Sequence, residues 1–270
     1  MSGIAITTIV ITVIGILVGA GLVFTSKKFY VEVDEREAAV RDCLPGNNCG
    51  ACGYAGCDAL AAAIAAEEAP VNACPVGGGP VAEKIGGVMG VAAEVGERKA
   101  AFVRCKGTCD VTRNQGNYVG IQDCRSAVMS GLSITDCSYG CLGLGSCVTV
   151  CPENAIKIVN GVAVVNESKC ISCGLCAKAC PRGLIELKPI TKKVAVQCSN
   201  KERGPLVKSS CTVGCIGCML CTRQCEFGAI TVVNNLAHID YEKCTQCGKC
   251  AEKCPVKVIT LPQAGSDAAS

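Results

Sequence analysis

The sequence predicts an α+β protein in four parts: one N-terminal transmembrane helix, a small helical domain, and two tandem copies of a small α+β module. Three observations carry this reading. Residues 3–26 contain no charged side chain, 26 of the 270 residues are cysteine, and nine cysteines recur at a constant offset of 74 positions. Half the residues are formally apolar, but only 3% are aromatic and Trp is absent. A large core of bulky side chains is therefore excluded, and crosslinks through sulfur must substitute for it. The expected bounds are 1–28 for the anchor, 29–100 for the helical domain, 101–190 for the first module and 191–270 for the second.

The first element is the apolar helix. Ile4 to Phe24 reads IAITTIVITVIGILVGAGLVF, long enough to cross a hydrocarbon core of roughly 30 Å at about 1.5 Å per residue. A secretory signal would carry a basic leader and a shorter apolar run, and a buried core helix is seldom uncharged for so long. Lys27 and Lys28 follow directly. The positive-inside rule then predicts a single pass through the cell membrane, with everything downstream on the cytoplasmic, reducing side.

The second element is the helical domain. It carries Cys49, Cys52, Cys57 and Cys74 in a C-x2-C-x4-C-x16-C spacing, with an Ala-rich helical run from Asp58 to Glu68 between the last two. Glycines between these cysteines let the backbone wrap tightly and aim N–H groups at sulfur. Cys43 precedes Leu-Pro-Gly and has no obvious seat; it reads as a free thiol or a neighbour of the ligands.

The modules come next. Cys124, Cys137, Cys141, Cys147, Cys151, Cys170, Cys173, Cys176 and Cys180 each recur 74 residues later, at Cys198, Cys211, Cys215, Cys221, Cys225, Cys244, Cys247, Cys250 and Cys254. This is a duplicated unit. Within each copy a half-repeat of 29 residues places Ile156, Ile185, Ile230 and Ile259 five residues after a cysteine. Short hairpins are expected between the halves, turning at Asn160-Gly161 and at Asn234-Asn235.

Spacing decides the chemistry. Cys170, Cys173, Cys176 and Cys180-Pro181 form the C-x2-C-x2-C-x3-C-P run of bacterial ferredoxins, and Cys244, Cys247, Cys250 and Cys254-Pro255 repeat it. Disulfides would have to pair near neighbours. Zinc ribbons use C-x2-C pairs, but three thiolates in a row and a fourth before Pro suit a cuboidal cluster. The modules are thus two-cluster ferredoxin-like units, and the small helical domain is a [4Fe-4S] domain.

In that fold the fourth cysteine of each run ligates the other cluster. Set 1 is Cys49, Cys52, Cys57 and Cys74. Set 3 is Cys170, Cys173, Cys176 and Cys151. Set 4 is Cys215, Cys218, Cys221 and Cys254, and set 5 is Cys244, Cys247, Cys250 and Cys225. Set 2 has Cys141, Cys147 and Cys180, but Leu144 stands where the second copy has Cys218. Cys137 is the nearest candidate for the vacancy; a three-iron cluster or a more distant ligand is the alternative. Cys105, Cys109 and Cys124 remain as three ligands of a sixth cluster, with Cys198 or Cys211 as the fourth, or Cys137 if one of the others fills the Leu144 vacancy. At least five [4Fe-4S] clusters are expected, and a sixth is counted in.

The remaining composition narrows the function. Residues 29–100 hold 5 Lys and Arg against 11 Asp and Glu, and residues 101–270 hold 19 against 12. A cube with four thiolates carries roughly two negative charges, so the basic residues balance clusters and no nucleic-acid partner is expected. The stretch from Arg182 to Lys208 is basic and reads as a solvated loop before it reads as a docking face for an acidic partner. His238 is the sole histidine, which excludes multi-histidine metal sites. No nucleotide loop, flavin motif or catalytic acid-base pair is readable, so no catalytic residue is expected on this chain.

An apolar N-terminal span, then LPGNNCGACGYAGC with Cys74-Pro75, then ferredoxin modules, resembles the B subunit of the Rnf complexes, the ion-translocating ferredoxin:NAD+ oxidoreductases of bacterial and archaeal membranes. Two modules in place of one make it similar to the long, clostridial or acetogen type, and Glu226 replaces the usual Pro after Cys225. The resemblance implies an electron-transfer subunit that accepts electrons from reduced soluble ferredoxin and relays them within a complex coupled to Na+ or H+ translocation. Flavins and NAD would then belong to partner subunits. The alternative is a membrane-bound polyferredoxin serving a hydrogenase or another oxidoreductase.

Overall fold

The N-terminal segment forms one helix, α1 (Ser2–Lys28), in the computed structural model of the chain, which describes residues 2–28, 34–93, 97–113, 116, 118–131 and 134–260. Among its described side chains, Val13, Ile14, Ile16, Leu17, Val18, Leu22, Val23 and Phe24 are 50–68% exposed, so apolar surface points outward all round the helix. Among the described residues no helix is long and apolar enough to cross a membrane.

The helical domain is built from α2 (Glu35–Cys43), α3 (Cys57–Ala65) and α4 (Gly78–Met89). Asp34 caps α2 by accepting the Arg36 N–H at 2.9 Å, and Glu35 and Glu37 sit in the first turn, where the positive end of the helix dipole favours them. Arg41 reaches across to Asp58 on α3. Between the helices Val40, Leu60, Ala61, Ile64 and Ile85 are almost wholly buried. Each large aliphatic removed from water there contributes about 1.5–3 kcal/mol.

The first module starts with β1 (Lys99–Val103) and α5 (Cys124–Met129), followed by α6 (Ser146–Thr149), β2 (Ile156–Val159), β3 (Val162–Val165), α7 (Leu175–Ala179) and β4 (Ile185–Pro189). The second contains β5 (Ala195–Val196), α8 (Gly204–Ser210), α9 (Leu220–Gln224), β6 (Ile230–Val233), β7 (Leu236–Ile239), α10 (Lys249–Glu252) and β8 (Ile259–Thr260). Among the described residues the four sheets are antiparallel pairs: β1 with β4, β2 with β3, β5 with β8, and β6 with β7.

The expected hairpins form at the expected turns. Asn160 and Gly161 have φ of 47° and 78°, and Asn234 and Asn235 have 51° and 61°, so both central residues are left-handed, which suits the twist of a two-residue hairpin. Gly143 and Gly217 lie against these turns; a Cβ would stand 2.7 Å from the Gly161 carbonyl oxygen and 2.9 Å from that of Asn235. Elements α6 through β4 match α9 through β8 at the 74-residue offset. The entry strands do not. Val103 pairs with Ile185 and Val196 pairs with Ile259, so β5 is the structural counterpart of β1 although only 93 positions, not a multiple of the repeat, separate Val103 from Val196.

Between the modules the chain is tied down by basic side chains. Lys188 is 3% exposed, lies over the Phe102 ring and donates to the Lys192 carbonyl at 2.7 Å. Arg182 donates to the Cys137 and Gly140 carbonyls, Lys192 to that of Cys244, and Lys193 pairs with Glu167 at 2.6 Å. Of the basic stretch expected to be a solvated loop, Arg182, Lys188 and Lys192 are drawn into the fold, while Lys193, Lys201, Arg203 and Lys208 are exposed.

Candidate metal centres

Four groups of cysteines line cavities, and backbone N–H groups point at several of the sulfurs. In the N-terminal domain, Asn48, Gly50 and Gly53 have φ of 46°, 65° and 90°, which turns the loop back on itself. Asn48 holds the loop to α3 by accepting the Cys57 N–H at 2.8 Å. Cys74 accepts the Gly77 N–H at 3.4 Å. Burial pushes the Cys74 thiol up, and the neighbouring Cys57 and Cys52 thiols add to this. Cys43 packs at the edge of the helical core, half-buried.

The set 3 cysteines Cys151, Cys170, Cys173 and Cys176 line one cavity with Ala101, Ala155, Ile156 and Gly174. The Ala155 N–H donates to Cys151 at 3.3 Å and the Ala101 N–H to Cys170 at 3.4 Å. Burial, with the Cys170 and Cys173 thiols beside it, pushes Cys176 up to about 11. Burial raises Cys173 too, and Cys49 of the N-terminal domain is among the thiols that add to it.

Set 2 differs from the expectation. The cavity beside Leu142 and Leu184 is lined by Cys124, Cys141, Cys147 and Cys180, not by Cys137. The cause is a local network. Asp123 caps α5 by accepting the Ser126 N–H at 2.9 Å and accepts the Ser146 hydroxyl at 2.6 Å, while Ser146 accepts the Cys124 N–H at 2.7 Å. This fastens the start of α5 to the start of α6 and holds Cys124 against the cavity of Cys141, Cys147 and Cys180. Burial and the Cys141 and Cys124 thiols push Cys147 up to about 12.

In the second module Cys215, Cys218, Cys221 and Cys254 line one cavity, the whole of set 4. Burial, with Cys244 and Cys247 close by and Cys221 more weakly, pushes Cys250 of set 5 up to about 11. Cys225 accepts the Ala229 N–H at 3.3 Å, as Cys151 does from Ala155, and Gln246 donates to Cys244 at 3.2 Å. Glu226, where Pro was expected, pairs with Lys249 on α10 at 2.6 Å, which holds its carboxyl below the usual range.

The expected sixth grouping is divided. Cys105 shares a cavity with Cys137, Cys198 and Cys211, the three cysteines expected as alternatives for the fourth place. Cys124 lines the cavity of Cys141, Cys147 and Cys180 instead. Cys109 is exposed and lies against the hairpin turn, its N–H donating to the Asn160 carbonyl at 3.0 Å. The signal that would have found this grouping is the Val-x-Cys pattern at 103–105 and 196–198; the 74-residue offset paired Cys198 with Cys124 and hid it.

Among the described residues no three His, Cys, Asp or Glu side chains come together on a single-ion site. The thiols ring cavities, with backbone N–H groups aimed at sulfur and small or aliphatic residues as walls. Such a donor set fits a cuboidal iron–sulfur cluster, whose thiolate ligands bind four separate iron corners. Burial raises the metal-free thiols of Cys74, Cys147, Cys173, Cys176 and Cys250, so ligation at these positions must displace protons.

Comparison with known proteins agrees with this chemistry. An Fe-S cluster family model matches residues 44–76, and a 4Fe-4S binding domain model matches residues 163–186 and 237–260. The B subunit of the Na(+)-translocating ferredoxin:NAD(+) oxidoreductase complex of Acetobacterium woodii is 44% identical over 93% of this chain and 76% of that protein. The B subunit of the ion-translocating oxidoreductase complex of Methanosarcina acetivorans is 44% identical over 97% of this chain and 100% of its own length. Its counterpart in the proton-translocating ferredoxin:NAD(+) oxidoreductase complex of Clostridium ljungdahlii is 38% identical over 99% of this chain and 95% of that protein. With cysteine-ringed cavities repeated along two ferredoxin-like modules and relatives matched over almost the whole chain, this protein belongs to the B-subunit family of the Rnf ion-translocating ferredoxin:NAD+ oxidoreductase complexes.

Proposed function

We propose that the chain is a membrane-anchored electron-transfer subunit that takes electrons from reduced soluble ferredoxin and delivers them to flavin-bearing partner subunits of an ion-translocating ferredoxin:NAD+ oxidoreductase complex. The observation that carries the reading is the crossed arrangement of thiols in each module, where Cys151 joins the Cys170 run and Cys254 joins the Cys215 run. When bound, [4Fe-4S] clusters supply one-electron carriers of low potential.

The chain's own residues would do the rest. Cys49, Cys52, Cys57 and Cys74 would ligate one cluster; Cys124, Cys141, Cys147 and Cys180 a second; set 3 a third; set 4 a fourth; and set 5 a fifth. The N–H groups of Gly77, Ala101, Ala155, Leu184 and Ala229 donate to Cys74, Cys170, Cys151, Cys180 and Cys225 at 3.3–3.4 Å. Such donors stabilise the more negative, reduced form and raise the potential of the site they face. Aliphatic walls such as Ile156, Ile185, Val258 and Ile259 exclude water.

The exposed apolar surface of α1 and the uncharged run of residues 3–26 support a single-pass anchor, with Lys27 and Lys28 on the cytoplasmic side. The thiols of Cys218 and Cys247 are exposed, which supports the second module, the part farthest along the chain from the anchor, as the end that meets a soluble donor. Anaerobic purification tests the proposal. At least about 20 iron and 20 sulfide per chain are expected from four irons per cube, with bleaching of the colour by reduced ferredoxin. About eight of each, or a brown protein that reduced ferredoxin leaves oxidised, would refute it.

A further inference from the structure

We infer that Cys105, Cys137, Cys198 and Cys211 hold an additional [4Fe-4S] cluster at the seam between the two modules, two thiolates coming from each. The inference rests on reading the flanking sets as cluster sites and goes beyond it by naming four further ligands and their place in the order.

The four thiols line one cavity, all are free and all are buried. Their positions are equivalent in pairs. Cys105 follows β1 and accepts the Cys141 N–H at 3.4 Å; Cys198 follows β5 and accepts the Cys215 N–H at 3.4 Å. Cys137 and Cys211 occupy the same place in the 74-residue repeat. The duplicated module thus presents the same two thiols from either side. The seam is closed by a β-bridge between Thr112 and Cys211, and by Ser199 donating to the Arg104 carbonyl at 3.2 Å.

The surroundings suit a cluster. Asn200, 1% exposed, turns its backbone N–H to Cys198 at 3.4 Å and its side-chain amide to Cys137 at 3.5 Å. Gly107 lies between two of the thiols: a Cβ there would stand 3.6 Å from Cys105 Sγ and 3.7 Å from Cys211 Sγ. Arg104 and Lys106 line the same cavity, the Arg104 guanidinium pairing with Glu186 at 3.5 Å and the Lys106 ammonium donating to the Lys257 carbonyl at 3.0 Å.

The position has a consequence for order. One ligand of the seam is hydrogen-bonded by Cys141 of the set 2 cavity, and another by Cys215 of set 4. Cys49 neighbours Cys173, Cys147 and Cys176 share a core, and Cys221 neighbours Cys250. The thiol sets therefore run in one line: N-terminal set, set 3, set 2, seam, set 4, set 5. The seam is the link between the modules.

The test is native mass spectrometry with iron, sulfide and zinc analysis on the full chain purified anaerobically. Expected are six cluster increments and about 24 irons in the wild type, about 23 (a three-iron form) or about 20 (an emptied site) in Cys105→Ala and in Cys211→Ala, and no change in the exposed-thiol control Cys109→Ala. Five increments in the wild type, unaltered in both seam variants, would overturn the seam while leaving the function above intact. One zinc per chain lost in the variants would overturn it in favour of a structural ion. Iron near eight in the wild type would refute the function itself and the seam with it. Should the variants not fold, the wild-type count of six or five decides.

Discussion

Cys124→Ala is expected to damage one site and spare the rest, because Cys124 is the fourth thiol lining the cavity of Cys141, Cys147 and Cys180. The cavity would keep Cys141, Cys147 and Cys180. Three thiolates hold a cube poorly at its open corner, so a loss of about one iron to a three-iron form, or of about four if the site empties, follows from four irons per cube. The fold should survive: Ala keeps the backbone N–H that donates to Ser146 at 2.7 Å and the Asp123 cap on α5. Asp123→Ala is the companion, since it removes the cap, worth about 1 kcal/mol, and frees the segment that positions Cys124. The assay is iron and sulfide content with low-temperature paramagnetic resonance of the oxidised protein, where a three-iron cluster is visible and intact cubes are silent. Leu144→Cys should rescue Cys124→Ala, because Leu144 matches Cys218, a wall of the set 4 cavity. If Leu144→Cys rescues Cys137→Ala instead, and Cys124→Ala has full iron, the reasoning from the α5 cap is wrong.

Deleting residues 1–26 should release a soluble protein with unchanged iron, because the described apolar side chains of α1 are unburied by the rest of the chain; aggregation with loss of colour in a sedimentation assay would contradict this. Gly217→Ala forces a Cβ to 2.9 Å from a backbone oxygen at a φ of 66°, costing about 1–2 kcal/mol from the left-handed backbone alone. Thermal scans of the holoprotein should show it below Gly87→Ala, where nothing lies within 4 Å of the added Cβ. Glu167→Gln removes the carboxylate near the buried Lys188 ammonium, 3.9 Å away; a loss of about 1 kcal/mol is expected at pH 7. Burial already holds the Lys188 pKa below 10.5. A lowered pKa in the folded state means that the unfolded chain binds more protons, so stability rises with pH toward 10.5 and the deficit of the variant should shrink. Denaturant midpoints at pH 7 and pH 9.5 would check this, and an equal deficit at both would count against it.

Local chemistry was legible from the chain alone. Three thiols at C-x2-C-x2-C spacing are brought together by a single turn of backbone, so the Cys170 and Cys244 runs declare themselves without any tertiary information, as do the Asn-Gly and Asn-Asn hairpins that separate the halves. The crossing of Cys151 and Cys254 into the neighbouring cavities followed from the general behaviour of two-cluster ferredoxin modules. What required the tertiary structure was every thiol placed by long-range packing. Cys124 reaches its cavity because Asp123 and Ser146, 23 residues apart, fix two helix starts together. Cys105 and Cys198 became equivalent only once β1 was seen to pair with β4 as β5 pairs with β8. The segment between Cys105 and Cys137 is longer than that between Cys198 and Cys211, which broke the regular offset and made Cys124 look like the partner of Cys198. Sequence spacing reports thiols that share one stretch of chain; strand pairing and helix docking decide which distant thiols share one cavity.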